Sequence, residues 1–105
     1  MEEYFVYMLL CADDTFYVGV TNDPDRRVWE HNNGELVDCY TYERRPVRTV
    51  HCSGFHEVLD AIRWEKQLKG WSRKKKYALI NSDWNGIHAI VASERRMRES
   101  RKRKL

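Results

Sequence analysis

The most unusual residue of the sequence is Glu65, a carboxylate inside an apolar stripe of a predicted helix. Val58, Ile62 and Leu68 are spaced so that they lie near one helix face, and Glu65 falls between the last two. A carboxylate beside a core face loses hydration unless a positive group meets it. Lys69, four residues later, offers an ion pair of about 0.2–0.5 kcal/mol, and a bound divalent cation is the alternative. From the residues alone, the ion pair is the favoured interpretation.

Arg27 and His31 form a second group that could do chemistry. They are four residues apart in a predicted helix and therefore lie on one face. Arg27 supplies a permanent charge and His31 a titratable group, so the pair could hold a phosphate. Taken alone, the pair is better explained as part of an ordinary polar helix surface.

Tyr7 and Tyr17 lie on two predicted strands that follow each other in the chain. Tyrosines in strands are usually core or half-buried residues. Gly19 is less expected, because a glycine weakens a strand interior unless another group approaches the backbone closely.

Several segments, taken in order, carry a resemblance to a known family. They are FVY at 5–7, YVG at 17–19, TNDPDRRVWEHN at 21–32 and RWEKQLKGWS at 63–72, followed by KK at 75–76 and LI at 79–80. Together they resemble the GIY-YIG nuclease superfamily over residues 3–84. The chain is most similar to the small stand-alone bacterial members, which are related to the N-terminal nuclease domain of the excinuclease component that makes an incision in repair.

The resemblance assigns roles to individual residues. The catalytic residues that it implies are Tyr7, Tyr17, Arg27, His31 and Glu65, with Glu65 as the metal ligand. Gly19 and Asn81 are further candidate site residues. Arg27 is preferred to Arg26 because a hydrophobic residue follows it directly. The first triplet reads Phe-Val-Tyr in place of Gly-Ile-Tyr, but the tyrosine is kept.

The implied activity is a metal-dependent endonuclease that hydrolyses phosphodiester bonds in DNA, with repair or the processing of branched structures as its setting. One ion, Mg²⁺ or Mn²⁺, is expected on Glu65 and a phosphate oxygen, and Arg27 is expected to stabilise the charge of the transition state. Tyr7, in preference to Tyr17, is expected to orient or deprotonate the attacking water, with His31 taking its proton. A tyrosine, whose ordinary pKa is about 10, needs help from its neighbours for this.

The charge distribution is consistent with a nucleic-acid partner. The net charge of the chain is +3. Residues 94–105 form a basic tail with seven Lys/Arg and two Glu, whereas residues 1–93 have a net charge of −2. A second basic cluster is expected to bind nucleic acid, since neutralised phosphates release counterions. The cluster runs from Lys66 to Lys76, and its candidate binding residues are Lys66, Lys69, Arg73, Lys74 and Lys75. A solvated helix face explains the same charges about as well, and a protein partner for targeting is a further expectation.

Two other functions remain open on the sequence. One is a non-catalytic nucleic-acid-binding domain that retains the fold. The other is a protein-interaction module in which exposed aromatic residues and the basic tail dock a partner. The aromatic residues concerned are Trp64, Trp71 and Trp84.

The elements that must position these residues follow from periodicity and turn residues. Strands are predicted at 3–11, 16–20 and 47–52, and helices at 24–32, 56–70 and 73–80, with an irregular, mobile connection at 35–45 and a short strand or docked segment at 87–93. The order β-β-α-β-α-α predicts an α+β fold with a three-stranded, mainly antiparallel sheet. Tyr7 and Tyr17 can share a face only if the hairpin connection has an odd number of residues.

Length and composition limit the remaining possibilities. The 105 residues predict one domain over 1–90 and a flexible basic tail over 91–105. No apolar run reaches the roughly 20 residues that a membrane helix needs. Acidic residues follow the first methionine, where a secretory signal is basic, so a cytoplasmic location is expected. The three cysteines do not have the spacing of a zinc site or a disulfide framework.

Overall fold

A computed structural model describes residues 3–82. The elements in chain order are β1 (Tyr4–Leu10), β2 (Phe16–Thr21), α1 (Pro24–Asn32), a 3₁₀ turn (Tyr42–Arg44), β3 (Arg48–Phe55), α2 (Val58–Lys69) and α3 (Arg73–Ile80). The strands form one antiparallel sheet in the order β2-β1-β3. This is the predicted α+β fold with the predicted order of elements.

The central strand β1 is apolar at successive positions because both of its faces are covered. Val6 and Met8 point to one face and Tyr7 and Leu9 to the other, and all four are buried. The sequence prediction of a strand buried on two sides is therefore confirmed.

The hairpin between β1 and β2 places the two tyrosines on the same face. The connection consists of the five residues 11–15, so their number is odd. Tyr7 consequently pairs with Gly19, and Leu9 pairs with Tyr17. Because side chains alternate along a strand, Tyr7, Leu9 and Tyr17 project together.

Local signals define α1 and connect its end to β3. Asp23 caps the helix by accepting a hydrogen bond from the Arg26 N–H at 3.2 Å, and Pro24 occupies the first helical position. At the other end, the Asn32 side-chain amide donates to the Val47 carbonyl at 2.9 Å and accepts from the Val47 N–H at 2.7 Å. The helix has the bounds that the sequence predicts.

The connection between α1 and β3 is irregular, as predicted, but it is anchored to the β1–β2 hairpin. The Ala12 N–H donates to the Arg44 carbonyl at 2.9 Å, and the Arg44 guanidinium pairs with Asp13 at 3.0 Å. Thr41, within the same connection, is 0% exposed. The expectation of a mobile segment does not fit these contacts.

The apolar stripe expected on α2 has different members. Val58 and Ile62 are 39% and 37% exposed, whereas Ala61 and Leu68 are 0% exposed. The predicted stripe is confirmed at Leu68 and wrong at Val58 and Ile62, because Ala61 and Leu68, seven residues apart, define the buried face. Glu65 is four residues after Ala61 and three before Leu68, so it still lies on that face.

The third strand is longer than predicted. Ser53 and Gly54, which were expected to end it, pair with Val6 and Phe5 of β1 and continue the ladder. An irregularity in the pairing lies between Met8 and Leu9 instead. The cross-strand ladder to a fully buried central strand outweighs the weak strand preference of glycine.

The chain divides into two compact units, one up to Gly70 and one from Trp71 onward. The first unit contains the sheet, α1 and α2, and the second contains α3. Within residues 3–82, no helix has the length and apolar character required to cross a membrane. The segment predicted at 87–93, the tail and the domain boundary at residue 90 lie outside the described residues.

Candidate active site

Gly19 provides the space in which the Tyr7 ring lies. A Cβ atom built on Gly19 would overlap the Tyr7 hydroxyl and lie 2.6 Å from its Cζ atom, closer than real Cβ contacts allow. The glycine pairs directly with Tyr7 across the hairpin, so the ring folds over the backbone of the neighbouring strand. This is the close approach that a glycine in a strand interior suggests.

The Tyr7 hydroxyl makes a buried hydrogen bond with His31. The oxygen lies 3.0 Å from His31 Nε2, and the other ring nitrogen, Nδ1, lies 2.7 Å from Thr41 Oγ1. The Tyr17 ring meets the His31 ring edge-on, with centroids 5.1 Å apart. His31 therefore has a hydroxyl at each ring nitrogen and a tyrosine ring against its edge.

Burial keeps both tyrosines protonated at neutral pH. Desolvation raises the pKa of Tyr7 well above its ordinary value and raises the pKa of Tyr17 to about 12. The positive charge of Arg27 acts on both hydroxyls in the opposite direction but does not offset burial. Neither residue stands as a phenolate before a substrate arrives.

His31 is held in its neutral form. Burial, and then the nearby charge of Arg27, lower the pKa of His31 below its ordinary value, while Glu30 acts in the opposite direction. A neutral imidazole has one ring nitrogen free to accept a proton. The acceptor is therefore available at neutral pH.

Arg27 rather than Arg26 is directed toward this cluster. Arg27 is half-buried and its charge acts on both tyrosines and His31, whereas Arg26 is exposed. Tyr17, Arg27 and Cys39 line an open cleft of about 470 Å³, whose remaining wall is the segment 35–38. The structure thus brings Tyr7, Tyr17, Arg27 and His31 together.

Glu65 forms an ion pair with Lys69 on α2. The two charged groups are 2.9 Å apart, and the Glu65 side chain is 20% exposed. This is the pairing that the residues alone favour, and it does not require a metal ion.

The described residues also bear on the implied metal ion. No group of three or more His, Cys, Asp or Glu side chains within residues 3–82 has the arrangement of a metal cage. A single carboxylate fits Mg²⁺, which is commonly bound by one or two carboxylates together with water and substrate phosphates. Glu65 can supply this carboxylate if its ion pair with Lys69 is broken.

The predicted nucleic-acid-binding residues differ in accessibility. Lys66, Lys69, Arg73 and Lys74 are exposed. Lys75 is only 9% exposed, and its ammonium lies 5.4 Å from the centroid of the Trp71 ring. Lys75 is therefore less able than the other four to meet a phosphate.

The remaining candidates have structural positions. Asn81 is exposed at the C-terminal cap of α3, where its N–H donates to the Tyr77 carbonyl at 3.1 Å. Trp64 and Trp71 are half-buried rather than fully exposed, and Trp84 lies outside the described residues. Trp64 and Trp71 therefore expose less aromatic surface than was expected for a protein-interaction module.

Sequence reasoning missed Cys39, which lines the cleft, and Thr41, which is buried. Cys39 Sγ is 3.9 Å from His31 Nδ1. Burial raises the pKa of the Cys39 thiol, but hydrogen bonds from the Thr41 side chain and backbone and from Tyr17 lower it below the ordinary value. Both residues belong to the irregular connection, where no periodicity marks a buried position.

Comparison with known proteins gives a consistent result. A family model described as the GIY-YIG catalytic domain matches residues 3–78. The UPF0213 protein NP_0776A of Natronomonas pharaonis is 42% identical over 78 residues, which cover 74% of this chain and 91% of that protein. The UPF0213 protein SSP2268 of Staphylococcus saprophyticus is 36% identical over 81 residues, which cover 77% of this chain and 98% of that protein.

Two solved structures are similar in fold and sequence. The solution NMR structure of the UPF0213 protein BH0048 from Bacillus halodurans is 39% identical, covers 75% of this chain and 83% of its own, and superposes with a TM-score of 0.50. The solution NMR structure of protein EF2693 from E. faecalis is 33% identical in sequence. The match covers 78% of this chain and 86% of that chain, with a TM-score of 0.55. Both structures therefore support the fold described above.

Proposed function

Since this chain belongs to the GIY-YIG nuclease family, we propose that it is a divalent-metal-dependent endonuclease that hydrolyses phosphodiester bonds in DNA, in repair or in the processing of branched structures. The observation that carries the proposal is the buried hydrogen bond between the Tyr7 hydroxyl and His31 Nε2, next to a cleft lined by Arg27. A neutral imidazole bonded to a hydroxyl beside a fixed positive charge suits proton abstraction next to a phosphate.

Arg27 is the residue proposed to hold the scissile phosphate. Its guanidinium is permanently charged and can meet two phosphate oxygens at once. Negative charge increases on the phosphate oxygens as water attacks, so a preorganised cation stabilises the transition state more than the bound substrate. Its position on the wall of the cleft gives a phosphate access to it.

The two tyrosines are proposed to act in series. Tyr7 was expected to contact the attacking water, but it is 2% exposed and bonded to His31. Tyr17 lines the cleft, so Tyr17 is the residue proposed to contact the water. The Tyr7 and Tyr17 rings are neighbours, with centroids 6.2 Å apart. A proton taken up at Tyr17 can therefore pass through Tyr7 to Nε2. Because both pKa values are raised, these transfers accompany the attack and do not precede it.

Glu65 is the residue proposed to hold the metal ion. Its ion pair with Lys69 is part-exposed, and such pairs contribute at most about 1 kcal/mol, so a phosphate-bound cation can displace the lysine. When bound, the ion supplies Lewis-acid stabilisation of the charge on the leaving oxygen. Lys69, once released, remains available to a neighbouring phosphate.

A second candidate is a non-catalytic nucleic-acid-binding domain. The Glu65–Lys69 pair favours it, because the carboxylate is already neutralised without a metal ion. The buried Tyr7–His31 pair favours the enzyme, since binding phosphate requires neither a buried imidazole nor a buried phenol. Salt-dependent binding without Mg²⁺-dependent cleavage would support the binding domain.

A cleavage panel tests the choice. Branched, flapped, duplex and single-stranded DNA, and the matching RNAs, are incubated with Mg²⁺, Mn²⁺ or EDTA. We expect cleavage by wild type with metal, none with EDTA, and none by Glu65→Ala at unchanged circular dichroism. Asp60→Ala is the matched control, because Asp60 also forms an exposed ion pair on α2, with Arg63 at 3.6 Å. Full activity of Glu65→Ala would contradict the proposal.

A further inference from the structure

Thr41 is a buried hydroxyl in a segment without regular structure. It is 0% exposed, and its Oγ1 lies 2.7 Å from His31 Nδ1, a shorter contact than the 3.0 Å between Tyr7 and Nε2. Packing alone would be served as well by valine, which has the same shape without the hydroxyl. The position of the oxygen therefore needs a reason in terms of His31.

The two nitrogens of a neutral imidazole cannot play the same part. One carries the proton and donates, and the other accepts. If Nδ1–H donates to Thr41, Nε2 is free to accept the Tyr7 proton. If instead Thr41 donates to Nδ1, Nε2 carries a proton and must donate to Tyr7, so the imidazole cannot take a proton from Tyr7. The partner at Nδ1 thus decides what Nε2 can do.

Cys39 lies at the same ring nitrogen as Thr41. Its sulfur is 3.9 Å from His31 Nδ1 and Thr41 Oγ1 is 2.7 Å from that nitrogen, so Nδ1 faces two atoms that can each accept a hydrogen bond. The N–H of a protonated Nδ1 can meet both acceptors, whereas an unprotonated Nδ1 has one lone pair and can accept from only one of the two groups. The geometry therefore favours a proton on Nδ1.

We propose that Thr41 is a positioning residue that holds His31 in the tautomer protonated at Nδ1, so that Nε2 faces Tyr7 as an acceptor. The role in catalysis rests on the proposed nuclease function. In the transfer, Tyr17 takes a proton from the attacking water and passes its own proton to Tyr7, and the O–H bond of Tyr7 breaks as an N–H bond forms at Nε2. The Nδ1 proton stays on Nδ1 and is donated to Thr41 Oγ1. The imidazolium later loses the Nε2 proton to solvent through Tyr7 and Tyr17, so each tyrosine again has one proton and the protein gains none.

The tautomer can be measured on the substrate-free protein by ¹⁵N NMR of the His31 ring. We expect wild type and Thr41→Ser to show a protonated Nδ1 and an unprotonated Nε2. Thr41→Val should move the proton to Nε2, because Nδ1 loses its oxygen acceptor and keeps only the weak acceptor Cys39 Sγ. A wild-type ring protonated at Nε2 would overturn the proposal whether or not either variant folds.

Cleavage rates give the catalytic side of the test. We expect Thr41→Val to cut at least about tenfold more slowly than wild type, within the roughly 10²–10⁴-fold that a positioned base contributes. Thr41→Ser should retain most of the rate. Equal losses in both variants, or none in Thr41→Val, would overturn the positioning role. If wild type cuts no substrate, the nuclease function fails, while the NMR result still decides the tautomer.

Discussion

Gly19 lies directly opposite Tyr7 in the β1–β2 hairpin, and the Tyr7 ring fills the space where a Gly19 side chain would be. The glycine of the second triplet and the tyrosine of the first are thus one packing unit. The ring in this position reaches His31 on α1, so the hairpin register, the glycine and the helix together determine where the hydroxyl lies.

Replacement of Gly19 by alanine should displace the Tyr7 ring. We expect the free energy of unfolding to fall by about 1–3 kcal/mol, as for other overpacked cores, and cleavage to fall with it. Urea denaturation and the cleavage assay measure the two effects. Gly70→Ala is the control, because a Cβ there would lie 3.5 Å from the Gln67 carbonyl, an ordinary contact. If Gly19→Ala kept wild-type stability and activity, the position of the Tyr7 ring would not depend on the absence of a side chain at Gly19.

The two adjacent arginines of α1 should differ in their effect on catalysis. We expect Arg27→Gln to lower the single-turnover cleavage rate by about 10²–10³-fold, the usual loss for one transition-state donor. Arg26→Gln removes the same charge from an exposed position and should change the rate little. Equal rates for the two variants would show that Arg27 does not act on the phosphate.

Stability should depend on pH through His31. Because the folded pKa of His31 is lowered, the unfolded chain binds more protons below about pH 6.5. The contribution of neutral His31 to the free energy of unfolding is complete above that pH. It is lost as the pH falls through the folded pKa of His31. Burial lowers the pKa of His51 too, so it acts in the same direction.

Urea denaturation from about pH 4.5 to 7.5 isolates the two histidines, because this window spans their ordinary pKa. His31→Gln should remove the share of the pH dependence of the unfolding free energy that comes from His31. His51→Gln should remove the share that comes from His51. Cleavage by wild type should be lost at a lower pH than the ordinary histidine pKa of about 6.5 implies, because the folded pKa of His31 is lowered. An unchanged pH dependence in His31→Gln would mean that this histidine is not held neutral.

The lysines should separate into accessible and buried members. Lys66→Gln and Lys74→Gln should each reduce the slope of log affinity against log salt by about 1, as for the loss of one phosphate contact. Lys75→Gln should leave the slope unchanged and lower stability, because its ammonium lies against Trp71. Fluorescence anisotropy with labelled DNA at several salt concentrations measures the slopes. A reduced slope in Lys75→Gln alone would reverse this assignment.

Local signals in the sequence were sufficient for several elements. The Asp23 cap and Pro24 define the start of α1, and uninterrupted apolar residues identify β1 as a strand covered on both faces. Strand alternation requires an odd number of residues in the hairpin connection if the tyrosines are to share a face, but the actual number depends on where β1 stops pairing. The prediction of the α2 stripe was wrong at Val58 and Ile62, because they fit a helical period without being buried in the core.

The site could be predicted only in part. Tyr7 and His31 are 24 residues apart, and the resemblance, not any local pattern, joined them. Thr41 and Cys39 were missed because burial in an irregular connection leaves no period in the sequence. Their positions depend on tertiary contacts such as that between Arg44 and Asp13.

The central claim is that the buried Tyr7 hydroxyl takes part in phosphodiester hydrolysis, and Tyr7→Phe removes only that oxygen. The direct measurement is the single-turnover cleavage rate of Tyr7→Phe at saturating protein, with circular dichroism to verify the fold. Tyr40→Phe is the matched control, since Tyr40 is exposed with its ring under Arg44 at 3.7 Å. We expect Tyr7→Phe to bind DNA like wild type and lose at least about 10²-fold in rate, and Tyr40→Phe to keep its rate. A folded Tyr7→Phe protein that cuts at the wild-type rate would contradict the account.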